Sequence, residues 1–143
     1  MVFTLGMKRL PFFIKQKGIE NTIITSDVTR FATLPPGIYK NEDGETVELT
    51  KEGMLRYPAQ NVLFGSVLPV SRGVVHMMEV TGCTLADAIR MASTNSAILY
   101  GLNDRGTLGP GKRADLILFE IGETELMIKK TFVEGNLVYE AGK

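Results

Sequence analysis

The sequence is poor in the residues that build metal centres and disulfides. Its 143 residues include one histidine, one cysteine and no tryptophan. A lone cysteine, Cys83, cannot form an internal disulfide and suits a reducing cytoplasm. Zinc and similar ions are held by several imidazole, thiolate or carboxylate groups converging on one point, so His76 and Cys83 cannot furnish a typical ligand set. Net charge is absent too. Sixteen basic residues cancel sixteen acidic ones, which removes the global field that would draw the chain onto nucleic acid or an anionic membrane. No apolar run approaches the ~18 residues of a membrane span. Pro11 interrupts the short patch Phe12-Phe13-Ile14 behind Lys8 and Arg9, which makes a poor signal peptide. These absences predict a soluble cytoplasmic protein. What is present is ordinary: 44% hydrophobic and 22% charged residues describe a chain too apolar to be disordered, about one domain long.

The punctuation of the chain predicts a mixed α/β protein. Residues 8–17 read as a short helix, with Pro11 in its first turn and Gly18 at its end. The β-branched run from Asn21 to Asp27 lacks clear alternation, as a strand buried on both faces does. Between the breakers Pro35, Pro36, Gly37, Gly44, Gly53 and Pro58 lie three short extended stretches, 37–40, 45–49 and 54–57, with a hairpin turn at Lys51-Glu52-Gly53. A helix runs from Pro69 to Gly82, on the spacing of Val70, Val74, Met77 and Met78. Thr84 opens another as N-cap, with Asp87 completing a capping box and Leu85, Ile89 and Ala92 forming its apolar face. One more helical turn through Ala97, Ile98 and Leu99 ends at Gly101. The tail reads as three strands, 114–119, 127–133 and 137–139, the last two joined at Glu134-Gly135-Asn136.

Few residues invite a chemical reading. Asp27 lies just past the end of a buried strand, where (β/α) barrels place catalytic groups, although on position alone an aspartate there is more often a cap or a turn residue. Gly106 to Arg113 has the spacing of a phosphate-binding loop, but Arg113 stands where magnesium needs a hydroxyl, and a strand follows instead of a helix. His76 sits within a helix as a surface or core-edge residue, and Cys83 reads as a small buried one. Met54, Met77, Met78, Met91 and Met127 read as core filler. Ser66 lacks the flanking pattern and the histidine partner of a nucleophile.

Several segments resemble, in content and order, those of N-acetylglucosamine-6-phosphate deacetylases of the amidohydrolase superfamily: Thr25-Ser26-Asp27, Leu34 to Tyr39, Leu63-Phe64-Gly65-Ser66, and the helix Thr84 to Ser93. Gly106-Thr107-Leu108 through Gly111 to Leu116, and Thr131 to Asn136, are similar to the closing strands of many amidohydrolases. The resemblance spans about residues 19–140, with Asn95-Ser96-Ala97 and Val28 as departures from the usual pattern. It implies that a metal-activated water attacks an amide, with Asp27 as general base and proton donor to the leaving amine. It implies further that the backbone at Leu63, Phe64 and Gly65 touches an amino sugar phosphate. A divalent metal, zinc or similar, would reach Asp27 only with ligands from earlier strands, so this chain alone should bind none.

A whole barrel takes roughly 200 residues or more. The implied architecture is therefore the last strand and helices of an incomplete (β/α) barrel over residues 1–105, with a β-hairpin excursion at about 37–60. Residues 106–143 would be the C-terminal strands of a small β-sandwich. A barrel strand without its neighbour exposes an edge, which predicts a homo-oligomer or a partner chain. A non-catalytic interaction module and one half of a split hydrolase remain the alternatives.

Overall fold

In the computed structural model, which describes residues 9–143, the chain divides into two compact units: residues 26–69, and residues up to 25 together with 70–143.

Residues 26–69 hold a four-stranded antiparallel sheet in the order β1-β2-β3-β4, with β1 Gly37–Lys40, β2 Thr46–Leu49, β3 Met54–Tyr57 and β4 Val62–Ser66. The first three are the predicted stretches. The fourth, which carries Leu63-Phe64-Gly65-Ser66, is not among the predicted strands. Alternation decides the buried face: Val47, Leu49 and Leu55 point inward and pack with Phe31, while Tyr39, Tyr57, Phe64 and Val67 close around them. On the outer face Glu48 and Arg56, directly opposite in register, form an ion pair at 2.8 Å. The buried Asn41 closes the β1–β2 turn, its Oδ1 accepting from the N–H groups of Asp43 and Glu45 and its Nδ2 donating to the Tyr57 hydroxyl.

The other unit is built on helices α1 Leu10–Lys17, α2 Val70–Thr81, α3 Leu85–Ile89 and α4 Asn95–Leu99. Lys8, placed in the first helix by sequence, lies outside the described residues. Gly18, at φ 81°, ends α1 by donating to the Ile14 carbonyl. The capping box at Thr84 forms as expected, with the side chains and backbones of Thr84 and Asp87 bonded reciprocally. Between α3 and α4 the chain widens into a π-helical turn, Arg90–Thr94. Met91, three residues after the fully buried Ala88, lies fully in the core. Met91 packs there with Leu10, Ile24, Val74, Val75, Met77, Ala88 and Leu126. Met54 and Met127 are each nearly half exposed, which corrects their reading as core.

The run 21–27 is not a strand in this structure. Asn21 ends a 3-10 turn, and residues 22–27 are outside any ladder. A parallel strand needs a neighbour to accept and donate along its length, and among the described residues none lies beside it. Ile24 instead gives its N–H to the Met91 carbonyl at 3.0 Å. Asn95, nearly fully buried, donates from Nδ2 to the carbonyls of Ile19 and Thr22 and pins the start of the segment.

Strands β5 Leu116–Ile121, β6 Leu126–Val133 and β7 Asn136–Glu140 make a separate antiparallel sheet. The β6–β7 turn has Glu134 at φ 52° and Gly135 at φ 80°, the left-handed pair that a tight hairpin favours. The Gly106-to-Arg113 segment leads into β5 through a charge cluster rather than into a helix. Asp115 accepts from the Glu134 backbone N–H and from Arg113 Nε, each at 2.9 Å. The bond from Glu134, with help from Arg113, holds the Asp115 carboxyl below its ordinary value of 3.8.

Two measurements test this account. Met91→Ala empties a fully buried site and should lower stability in urea by about 2–5 kcal/mol. A depressed carboxyl pKa stabilises the fold above the unfolded value, and that contribution is lost as the pH falls through the folded value. The Glu134 amide should therefore keep its bonded NMR shift as the pH drops past 3.8 and lose it only further down. A midpoint at or above that value would refute the Asp115 latch.

Candidate functional site

Asp27 and the segment Leu63-Phe64-Gly65 are 36 or more positions apart in sequence and adjacent in space. They meet because Val28 forms a single parallel bridge to Ser66, at the end of β4. Ser66 donates its N–H to the Asp27 carbonyl at 2.9 Å, and Thr29 donates its N–H to the Ser66 carbonyl at 2.8 Å. Asp27 itself sits in the left-handed region at φ 51°, where aspartate is among the few non-glycine residues found routinely. The Asp27 side chain is exposed.

Gly65 faces it. Its φ is 100°, and a Cβ at Gly65 would stand 2.8 Å from Thr29 Cγ2, 3.3 Å from the Asp27 carbonyl oxygen and 3.5 Å from Asp27 Oδ2. A side chain at position 65 would collide with the Thr29 methyl and crowd Asp27, so glycine is what lets the two segments approach this closely. Leu63 is partly exposed on the edge strand. The Phe64 side chain is committed elsewhere: its ring packs edge-on against Tyr57, 4.9 Å between centroids, and 6.2 Å from Phe31. At position 64 the backbone, not the ring, is what a ligand could meet.

A shallow cavity of about 260 Å³ opens on the same unit, lined by Thr29, Arg30, Phe31, Asn41, Glu42, Asp43 and Phe64. Arg30 crosses it, bonded to the Lys40 carbonyl, 3.7 Å from Glu42 and stacked over Phe31. The cavity shares Thr29 and Phe64 with the surroundings of Asp27 but does not include the carboxylate. Thr29 was not singled out from sequence; a threonine two residues after an aspartate carries no signal until its partner is known.

Among the described residues no three His, Cys, Asp or Glu side chains gather where they could hold a metal ion. His76 lies in α2 near Glu79, and Cys83 packs partly buried against the helical core. The donor set of a metal centre is therefore not met by this chain's described residues; Asp27 offers one carboxylate. Among the described residues no helix is long and apolar enough to cross a membrane.

Residues 38–138 match the Amidohydrolase family. An N-acetylgalactosamine-6-phosphate deacetylase of Escherichia coli O157:H7 is 35% identical over 119 residues, which are 82% of this chain and 30% of that protein. The N-acetylglucosamine-6-phosphate deacetylase of Bacillus subtilis is 32% identical over 124 residues, covering 86% of this chain and 30% of the relative. In structure, the N-acetylglucosamine-6-phosphate deacetylase of Thermotoga maritima superposes with a TM-score of 0.85 at 29% identity, over 96% of this chain and 36% of that one. The chain thus spans about a third of the length of these relatives.

Asp27 is placed to discriminate side chains by backbone. Asp27→Asn should leave the urea midpoint unchanged, since asparagine tolerates the left-handed region, whereas Asp27→Val should cost about 1–2 kcal/mol. Equal stability of the two variants would mean that residue 27 is not held at positive φ.

Proposed function

The chain belongs to the amidohydrolase family, and from that premise we propose that it supplies the proton-handling carboxylate and one wall of the substrate site of an N-acetyl amino sugar phosphate deacetylase. The observation that carries this reading is the pairing of Asp27 with Gly65: the Oδ2 of an exposed carboxylate lies 3.5 Å from where a Gly65 Cβ would stand, at a position with no side chain of its own. Amide hydrolysis needs a base to take a proton from the attacking water and an acid to return it to the leaving amine. One carboxylate serves both steps in turn, accepting the first proton and donating it to the nitrogen. The Leu63-Phe64-Gly65 backbone, with its N–H and carbonyl groups, would orient the sugar phosphate against it.

Amidohydrolases generally depend on a metal, and the described residues of this chain do not provide its ligands. The chain alone would then be inactive. Further ligands, and the remaining strands of a (β/α) barrel of which residues up to 105 would be the closing portion, would come from another polypeptide segment. Residues 106–143 would complete a small β-sandwich. Exposed apolar side chains support a partner chain or a second copy: Ile98, Leu99 and Tyr100 at the end of α4, and Leu118, Val138 and Tyr139 on the second sheet, are each more than half exposed. Burial of such surface drives association.

The test is a chimera in which residues 19–140 replace the matching part of the B. subtilis deacetylase. Acetate release from N-acetylglucosamine-6-phosphate and from the galactosamine epimer would be followed. The folded chimera should hydrolyse at least one of them, and Asp27→Asn should lower kcat by roughly 10²- to 10⁴-fold. Retention of full activity by the Asp27→Asn chimera would sink the assignment. The isolated chain, dialysed after incubation with zinc, should retain almost none by elemental analysis. One tightly held zinc per chain would overturn the incomplete-site reading.

A further inference from the structure

Thr29 occupies the N-cap position of the 3-10 turn Arg30–Thr33, with extended φ and ψ of −104° and 169°. Threonine at such a position normally accepts a hydrogen bond from the first free N–H groups of the turn. Here its side chain makes no capping bond. Its hydroxyl instead donates to the Ser66 carbonyl at 3.2 Å, the same oxygen that receives the Thr29 backbone N–H at 2.8 Å. A carbonyl oxygen has two lone pairs, and one residue takes both. The other side-chain branch, Cγ2, lies where a Cβ of Gly65 would be, 2.8 Å from it. One half-buried threonine thus grips the strand end after Gly65 by its hydroxyl and covers Gly65 with its methyl.

We propose that Thr29 is a positioning residue, whose two bonds to the Ser66 carbonyl and methyl contact over Gly65 fix the Asp27 carboxylate relative to the Leu63-Phe64-Gly65 backbone. The idea rests on the reading of Asp27 as the base, but its geometry can be tested without metal, substrate or turnover. Ser66 N–H is bonded to the Asp27 carbonyl, so the Ser66 amide reports on the tie between the two segments. The Asp27 carboxyl carbon reports on where the side chain sits.

The experiment is NMR on the whole chain at pH 7, comparing wild type with Thr29→Val, which keeps the methyl and removes the donor, and Thr29→Ser, which keeps the donor. Loss of one hydrogen bond should speed exchange of the Ser66 amide roughly 2- to 10-fold and move the Asp27 carboxyl ¹³C resonance. Thr29→Ser should restore the Ser66 exchange rate. Retained protection at Val47 and Leu55, which are wholly buried, verifies the fold in each variant. Should Thr29→Val not fold, Thr29→Ala is read against Thr29→Ser, since the two differ only in the hydroxyl. A faster Ser66 amide with an unmoved Asp27 signal would mark a purely structural bond and overturn the proposal, as would no change in either. Because nothing here is measured by turnover, failure of this inference is distinct from failure of the deacetylase reading, which the chimera decides.

Discussion

The reciprocal bonding of Ser66 with Asp27 and Thr29 is the constraint on which the candidate site depends. Two segments that share no sequence neighbourhood become one piece there: Ser66 gives its N–H to one residue of the aspartate turn and offers its carbonyl to another. Such a pair is the smallest unit of a parallel ladder, and nothing extends it in the described chain. The left-handed backbone of Asp27 and the positive φ of Gly65 flank that bridge on its two strands. The first is uncommon for a residue other than glycine, and the second is one that glycine adopts readily. Together they turn a carboxylate and a stretch of bare backbone toward the same space.

Packing explains why that arrangement is stable enough to matter. The β4 strand that carries Gly65 is an edge strand, anchored from within by Phe64 between Tyr57 and Phe31. Phe31 in turn follows directly on Thr29 and Arg30 and is nearly fully buried. The aromatic cluster therefore holds both partners of the bridge, one through Phe64 and the other through Phe31. Aromatic side chains bring large buried areas and few rotatable bonds, which suits a place where two backbones must keep a fixed separation. Phe64 is a core residue by its ring and a candidate ligand contact by its backbone.

Much of this was legible in the residues. The capping box at Thr84-Asp87, the helix from Val70, the hairpin at Lys51-Glu52-Gly53 and the Glu134-Gly135 turn all have local causes, and local causes are written in short stretches of sequence. Asp27 and Leu63-Phe64-Gly65 could be singled out, but only a family resemblance linked them. What escaped depends on distant partners. The π turn at Arg90–Thr94 leaves no mark on the sequence, since the buried Ala88, Met91 and Asn95 keep helical spacing across it. The run 21–27 has the β-branched composition of a strand and lacks, among the described residues, a neighbour to pair with. Gly65 masks a strand because the same residue that breaks the pattern leaves room for the Asp27 carboxylate. Thr29 looks like an ordinary cap until its hydroxyl is found on Ser66.

The contrast between these two kinds of residue bears on what a partial site can be. A general base needs a carboxylate at a defined place, and the bridge within residues 26–69 fixes the Asp27 backbone beside Gly65. A metal centre needs several donors converging within bonding distance, a condition that one exposed aspartate cannot meet. The first rests on a bridge within residues 26–69 and needs no other segment to form. The second depends on strands arranged around a common axis and cannot be divided in that way. The Asp27–Gly65 geometry is therefore complete within residues 26–69, whereas a metal centre at Asp27 would need donors beyond those the described residues bring together.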